Sequence, residues 1–137
     1  MRDKIHYAFV AALEKDKWTV LSDPYRLKLE KITPEIDLEA EKVIEVGKGA
    51  KRILIEIKTF SQTSLLYQAY AAFGQYMFYR DKLKQESIEY PIFLGISEEV
   101  YEEIQELSEI ANWLTQHNIN IIVVNLEEES ITKWIEY

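Results

Sequence analysis

Apolar residues recur at two different spacings along this chain, and the switches between them mark out its elements. In residues 3–15, Ile5, Phe9, Ala12 and Leu13 stand three and four apart, which predicts an amphipathic helix with Asp3 in its first turn. Residues 18–21 read as a short strand ended by Ser22-Asp23-Pro24. The stretch 25–32 is ambiguous, because alternation through Leu27 and Leu29 suits a loop or an edge strand. Residues 35–46 and 51–59 predict two strands joined by a hairpin at Gly47-Lys48-Gly49, where glycine supplies the positive φ such turns require. The longest predicted helix is 63–84, rich in Leu, Ala, Tyr and Phe. Residues 91–96 read as a buried strand. Ser97 is a good N-cap for a helix starting at 98–100, and helical pattern continues to about 117. A strongly apolar strand is predicted at 118–124 and a last short one at 130–135. The order αβββαβ, followed by a helical segment and one or two strands, implies an α/β (α+β) fold: a mixed central sheet flanked by helices on both faces. With no repeat or linker, residues 1–137 form a single domain.

The hairpin carries the candidate chemistry. Side chains alternate faces along a strand. Ile53, Ile55 and Ile57 point one way, and Leu54, Glu56 and Lys58 the other. On the preceding strand Ile36, Leu38 and Ala40 are expected on one face, with Asp37, Glu39 and Glu41 opposite. Pairing can therefore set Asp37 beside Glu56 and Lys58. Two carboxylates suit Mg²⁺ (or Mn²⁺), a hard ion that takes oxygen ligands and keeps waters. Such an ion neutralises charge at a reacting phosphodiester and acidifies a bound water. Lys58 can hold that water or stabilise developing negative charge. The Ile57 backbone carbonyl, between the two side chains, offers a third protein ligand. Glu-x-Lys alone is a weak signal, although it occurs once here and ends a strand with isoleucine at every other position. The competing reading is an amphipathic strand whose polar face is simply wet, with Lys58 paired to Glu56.

On the long helix Gln68, Gln75 and Tyr79 fall on one side at spacings of seven and four. Gln75 can reach a metal-bound water or a phosphate oxygen; equally, it can be a half-buried hydrogen-bonder among core and interface aromatics. Gly74 costs about 1 kcal/mol inside a helix, which suggests close packing of that helix on the sheet. Arg26, Lys28 and Lys31 form a basic cluster before the hairpin, suited to phosphate contact or to plain solvation. Glu14 can reach a metal in this architecture, although its neighbours Lys15, Asp16 and Lys17 favour a solvated helix end; His6 and His117 read as surface or helix-end residues. There is no P-loop, no glycine-rich dinucleotide turn and no zinc spacing.

Composition narrows the field. There are no cysteines, so disulfides, thiolate nucleophiles and Cys-bound zinc are excluded, in keeping with a reducing cytoplasm. The apolar run 7–13 after Arg2 and Lys4 leads straight into Glu14-Lys15-Asp16-Lys17, and is expected to be a helix of the mature domain rather than a signal peptide. No apolar stretch approaches 18 residues, so no membrane span is expected. The net charge of −8 argues against a nucleic-acid partner until its distribution is considered. Residues 1–97 hold 15 of the 16 Lys and Arg but only 14 of the 24 acids. The acidity lies late, with Glu98, Glu99, Glu102, Glu103, Glu106 and Glu109 on a helix, so the earlier part can still face a phosphate backbone. The acidic stretch is a solubilising face or a partner surface.

Several blocks in order resemble the XisH family, the fdxN-element excision controlling factors of cyanobacteria. They are Trp18-Thr19-Val20, Asp23-Pro24-Tyr25-Arg26-Leu27, Asp37-Leu38-Glu39-Ala40-Glu41-Lys42, Ile55-Glu56-Ile57-Lys58-Thr59-Phe60, Gly74-Gln75-Tyr76, Tyr79-Arg80 and Ile96-Ser97-Glu98-Glu99-Val100-Tyr101. The resemblance implies a restriction-endonuclease-like core of the PD-(D/E)XK superfamily. Asp37, Glu56 and Lys58 fall on its triad and Gln75 on the helix position that assists it. Ile36 replaces the proline expected before the first Asp. It also implies a role in excising a DNA element during heterocyst formation, with DNA, a site-specific recombinase and a companion factor, XisI, as partners. Three readings stand at this stage. One is a Mg²⁺-dependent endonuclease, with a homodimer serving two strands. The second is a non-enzymatic accessory factor that binds DNA or recruits partners through the same fold. The third is a nuclease toxin silenced by its neighbour.

Overall fold

Helix α1 (Lys4–Lys15) begins where the Asp3 carboxylate accepts the backbone N–H of His6 at 2.8 Å, satisfying one of the free donors of the first turn. The chain then runs through β1 (Thr19–Ser22), β2 (Tyr25–Arg26), β3 (Glu35–Ile36), β4 (Leu38–Val43), β5 (Ala50–Ile57), α2 (Leu65–Gln85), β6 (Ile92–Ser97), α3 (Glu98–Glu106), α4 (Ser108–Gln116), β7 (Ile121–Asn125) and β8 (Ser130–Ile135). This is a computed structural model, and it describes residues 3–45, 47–60 and 64–137. The predicted ends at Val46 and Thr63 lie outside the described residues. No described helix is long and apolar enough to cross a membrane.

Six strands form one mixed sheet in the order β1-β4-β5-β6-β7-β8, with β5, β6 and β7 parallel and the outer pairings antiparallel. The short β2–β3 ribbon stands apart. The central strands are buried on both faces, as parallel strands covered by helices must be. One face packs on α1: Phe9, Ala12 and Leu13 meet Leu38, Ala40, Ile53, Ile55 and Phe93. The other packs on α2, α3 and α4 through Phe73, Tyr76, Ile104 and Leu114, which meet Leu54, Leu94 and Ile96. Burying each such large side chain contributes about 1.5–3 kcal/mol. Tyr76, fully buried, donates its hydroxyl to the Ile92 carbonyl at 2.9 Å and accepts Asn120 N–H at 3.1 Å, which ties α2 to the sheet.

Three expectations change. The strand expected over 35–46 is two strands, β3 and β4, with Asp37 between them. The alternation breaks there: Ile36 joins Leu54 in the α2-side core, while Leu38 and Ala40 lie in the α1-side core. Ile36 therefore does not share a face with Leu38. Gly74 does not pack on the sheet. It is exposed, and a Cβ added there would meet nothing within 4 Å. The close backbone approach is at Gly95 of β6 instead, where a Cβ would lie 2.7 Å from the Phe9 ring. His6 is buried, not superficial, and its Nε2 sits 2.9 Å from the Asp23 carboxylate. The hairpin turn holds, with φ of 83° at Gly47 and 92° at Gly49.

Candidate active site

The site is built where β5 ends. Along a strand, successive backbone groups point to opposite edges. Lys58 N–H points toward β6 and donates to the Gly95 carbonyl at 2.9 Å. Ile57 N–H therefore points toward the β4 edge. The chain has just been interrupted there, so a side chain takes the place of a ladder carbonyl: Asp37 Oδ2 accepts Ile57 N–H at 2.8 Å. Asp37 N–H in turn donates to Glu56 Oε1 at 3.2 Å. Each carboxylate is fixed to a backbone N–H, Glu56 to that of Asp37 and Asp37 to that of Ile57, the residue after Glu56, and the Ile57 carbonyl lies on the same edge of the strand as its N–H.

Glu56 is 6% exposed. Burial, and then the nearby Asp37 carboxylate, push its pKa up from 4.5 to about 7, while Lys58 and the Asp37 N–H pull it down. Lys58 Nζ stands 3.5 Å from Glu56 Oε2 and is half-buried. The Lys58–Glu56 pair of the competing reading is present, yet the face that carries it is not wet. A buried carboxylate crowded by a half-buried one, with one ammonium beside them, lacks positive charge, and a divalent cation would supply it.

Helix α2 adds a hydrogen-bonded pair above this edge. Gln75 Nε2 donates to Tyr79 Oη at 2.9 Å, and Tyr79 Oη donates to the Glu35 carbonyl at 3.3 Å, two residues before Asp37. Burial first, then Glu56, raise the Tyr79 pKa. Because the Tyr79 proton is spent on Glu35, the Gln75 amide must present its NH₂ to Tyr79. Among the described residues its buried oxygen Oε1 has no hydrogen-bond partner. Sequence reasoning placed Gln75 and Tyr79 on one side of the helix but gave Tyr79 no role; their four-residue spacing was the available signal. Glu39, also buried, shares the carboxylate face but is engaged by Ser22 Oγ at 2.6 Å and Arg52 at 3.6 Å.

The donors at hand are all oxygens: two carboxylates, the Ile57 carbonyl and an amide oxygen in want of a partner. That chemistry fits Mg²⁺ or Mn²⁺. Among the described residues, no group of three or more His, Asp or Glu side chains gathers at metal-binding spacing. Glu14 is exposed on α1, across the sheet, and does not join. Arg26, Lys28 and Lys31 are exposed along the β2–β3 ribbon, which leads directly into Asp37. Arg26 pairs there with Glu35 at 3.2 Å. His117 is exposed at the end of α4.

The sequence profile of the XisH protein family matches residues 1–132. Among curated proteins none matches. Two solved structures share the fold. An XisH family protein from Nostoc punctiforme PCC 73102 superposes with a TM-score of 0.86 at 24% identity, over 98% of this chain and all of the other. A fdxN element excision controlling factor protein from Anabaena variabilis gives the same TM-score and coverage at 25% identity. With a profile match along nearly its whole length and the same six-stranded mixed sheet between helices, this chain belongs to the XisH family.

Proposed function

We propose that this chain is an element-excision controlling factor with an endonuclease core of PD-(D/E)XK type, a Mg²⁺- or Mn²⁺-dependent phosphodiesterase. It would act on DNA in the cytoplasm, with a site-specific recombinase and an XisI-like companion. The observation that carries this reading is the pair of bonds that fixes both carboxylates beside Lys58, Asp37 N–H to buried Glu56 and Ile57 N–H to Asp37. The name of the Anabaena relative supplies the biological setting.

In this reading Asp37, Glu56 and the Ile57 carbonyl hold the ion. When bound, it neutralises charge on the scissile phosphate and lowers the pKa of a coordinated water. Lys58 Nζ would hold the attacking water and stabilise the negative charge that develops on the phosphate. Gln75 Oε1, aimed by Tyr79, would accept a hydrogen bond from the water and fix its orientation. Arg26, Lys28 and Lys31 meet the backbone of the duplex on the ribbon that precedes Asp37.

Metal titration by calorimetry together with cleavage of supercoiled plasmid tests this. Wild type should bind Mn²⁺ and nick the plasmid, and Glu56→Ala should do neither. Wild type that binds no metal and cuts nothing would remove the enzymatic reading. It would leave the second one, an accessory factor without turnover, which is favoured by no third acidic side chain joining the site among the described residues.

A further inference from the structure

Helix α2 carries a second surface, turned away from the sheet and from the candidate site. At 100° per residue, the positions within about 60° of Gly74 are Tyr67, Tyr70, Ala71, Met77, Phe78, Asp81 and Gln85. Tyr67 is 72% exposed, Tyr70 59% and Phe78 41%; Ala71, Gly74 and Asp81 are exposed as well. Beside this stripe an apolar groove of about 420 Å³ runs between α2 and α4, lined by Leu66, Tyr70, Gly74, Met77, Ile110 and Trp113 among others. A glycine at mid-helix costs about 1 kcal/mol relative to alanine. Nothing among the described residues requires it, since a Cβ at Gly74 would meet open space. The space is open to something that approaches from outside.

The stripe is self-complementary about Gly74. We infer that it pairs with the same stripe of a second copy of this chain, α2 antiparallel to α2, crossing at Gly74. Around a twofold axis at that residue, Tyr70 and Phe78 are each four residues away, so each Tyr70 lies level with the other copy's Phe78. Ala71 and Met77, three away on either side, pair small with flexible. Tyr67 and Asp81, seven away, bring a phenol to a carboxylate. Charge agrees with this direction. The C-terminal end of the second α2 carries Lys82 and Lys84, and it falls on the end of the groove where Glu109 stands near Leu66. The parallel arrangement would instead set Lys82 and Lys84 against their own copies. The contact is isologous and closed, as a twofold interface must be. Its substance is a pair of aromatic anchors over a glycine gap.

The chain has no cysteine, so Gly74→Cys is a clean reporter. The full chain should sediment as a concentration-dependent dimer. Gly74→Leu should weaken dimerisation at least about tenfold without lowering the melting temperature, because the new side chain meets nothing in the monomer. Gly74→Cys should form a disulfide-linked dimer on mild oxidation, as Cα atoms within about 7 Å allow, while Glu102→Cys on α3 should not. Wild type that stays monomeric up to millimolar concentration would overturn the proposal and assign the stripe to a different protein. A dimer indifferent to Gly74→Leu, or one in which Gly74→Cys fails to cross-link, would overturn it too.

Discussion

Replacing Glu56 with glutamine should stabilise the metal-free protein at neutral pH and abolish metal binding. The unfolded chain ionises Glu56 near 4.5, whereas the folded chain holds its proton to about 7. The folded state thus binds the extra proton between those values, and the stability this group contributes is present in full below pH 4.5 and lost as pH rises through 7. The gap of about 2.5 pH units corresponds to roughly 3 kcal/mol at 1.36 kcal/mol per unit. Glutamine removes that cost while its carbonyl oxygen can keep the Asp37 N–H bond. Its NH₂, however, meets the Lys58 ammonium, which offsets part of the gain. In EDTA, Glu56→Gln should therefore exceed wild type by about 1–3 kcal/mol at pH 8 in urea denaturation. The advantage should vanish near pH 4.5, where wild-type Glu56 is already neutral. Mg²⁺ at about a hundred times its Kd should add roughly 2.7 kcal/mol to wild type and nothing to the variant. A variant less stable than wild type at pH 8, or an advantage equal at both pH values, would refute the reasoning.

Lys58→Ala should leave the fold intact and end plasmid cleavage; because Lys58 lowers the Glu56 pKa, NMR titration of Glu56 should find it higher still in the variant. Tyr79→Phe keeps the ring but frees the Gln75 amide and the Glu35 carbonyl, and should cost about 1–2 kcal/mol in urea denaturation together with weaker Mn²⁺ binding by calorimetry. Gly95→Ala puts a methyl 2.7 Å from the Phe9 ring in a packed interior, and should lower stability by about 1–3 kcal/mol and the melting temperature with it.

Most of the sheet was legible because its strands announce themselves by burial. The run from Ile53 to Ile55 and that from Ile92 to Leu94 are wholly apolar, and the paired glycines at 47 and 49 left one way to connect β4 to β5. Side-chain alternation also placed Glu39, Glu41, Glu56 and Leu54 on one face. It failed at Ile36, because alternation assumes an unbroken pleat and the pleat breaks at Asp37. No local pattern announces that break: Ile36 is apolar on either assignment, and only the tertiary choice between two cores decides its face. Gly74 misled for a related reason, since the entropic cost of a glycine is readable but the direction of the space it leaves is not. Tyr79 was obscured by its neighbours. In a helix with aromatics at 67, 70, 73, 76, 78 and 79, one whose hydroxyl orients a glutamine looks like the rest.

The rung in which the Asp37 carboxylate stands in for a carbonyl also sets how much each candidate ligand can wander. Asp37 and Glu56 are indexed to backbone N–H groups, so their separation is inherited from strand spacing and not from rotamer choice. The entropy of placing them is spent during folding, and an arriving ion finds its two principal oxygens already immobilised. Aspartate to glutamate at 37 is then no gentle change, since one extra methylene cannot fit the same rung without parting the strands. Lys58, on a four-carbon stem with one ion pair among the described residues to guide it, keeps its freedom until substrate arrives. Rigidity falls off from strand to solvent across the site, with fixed charges behind and an adjustable one in front.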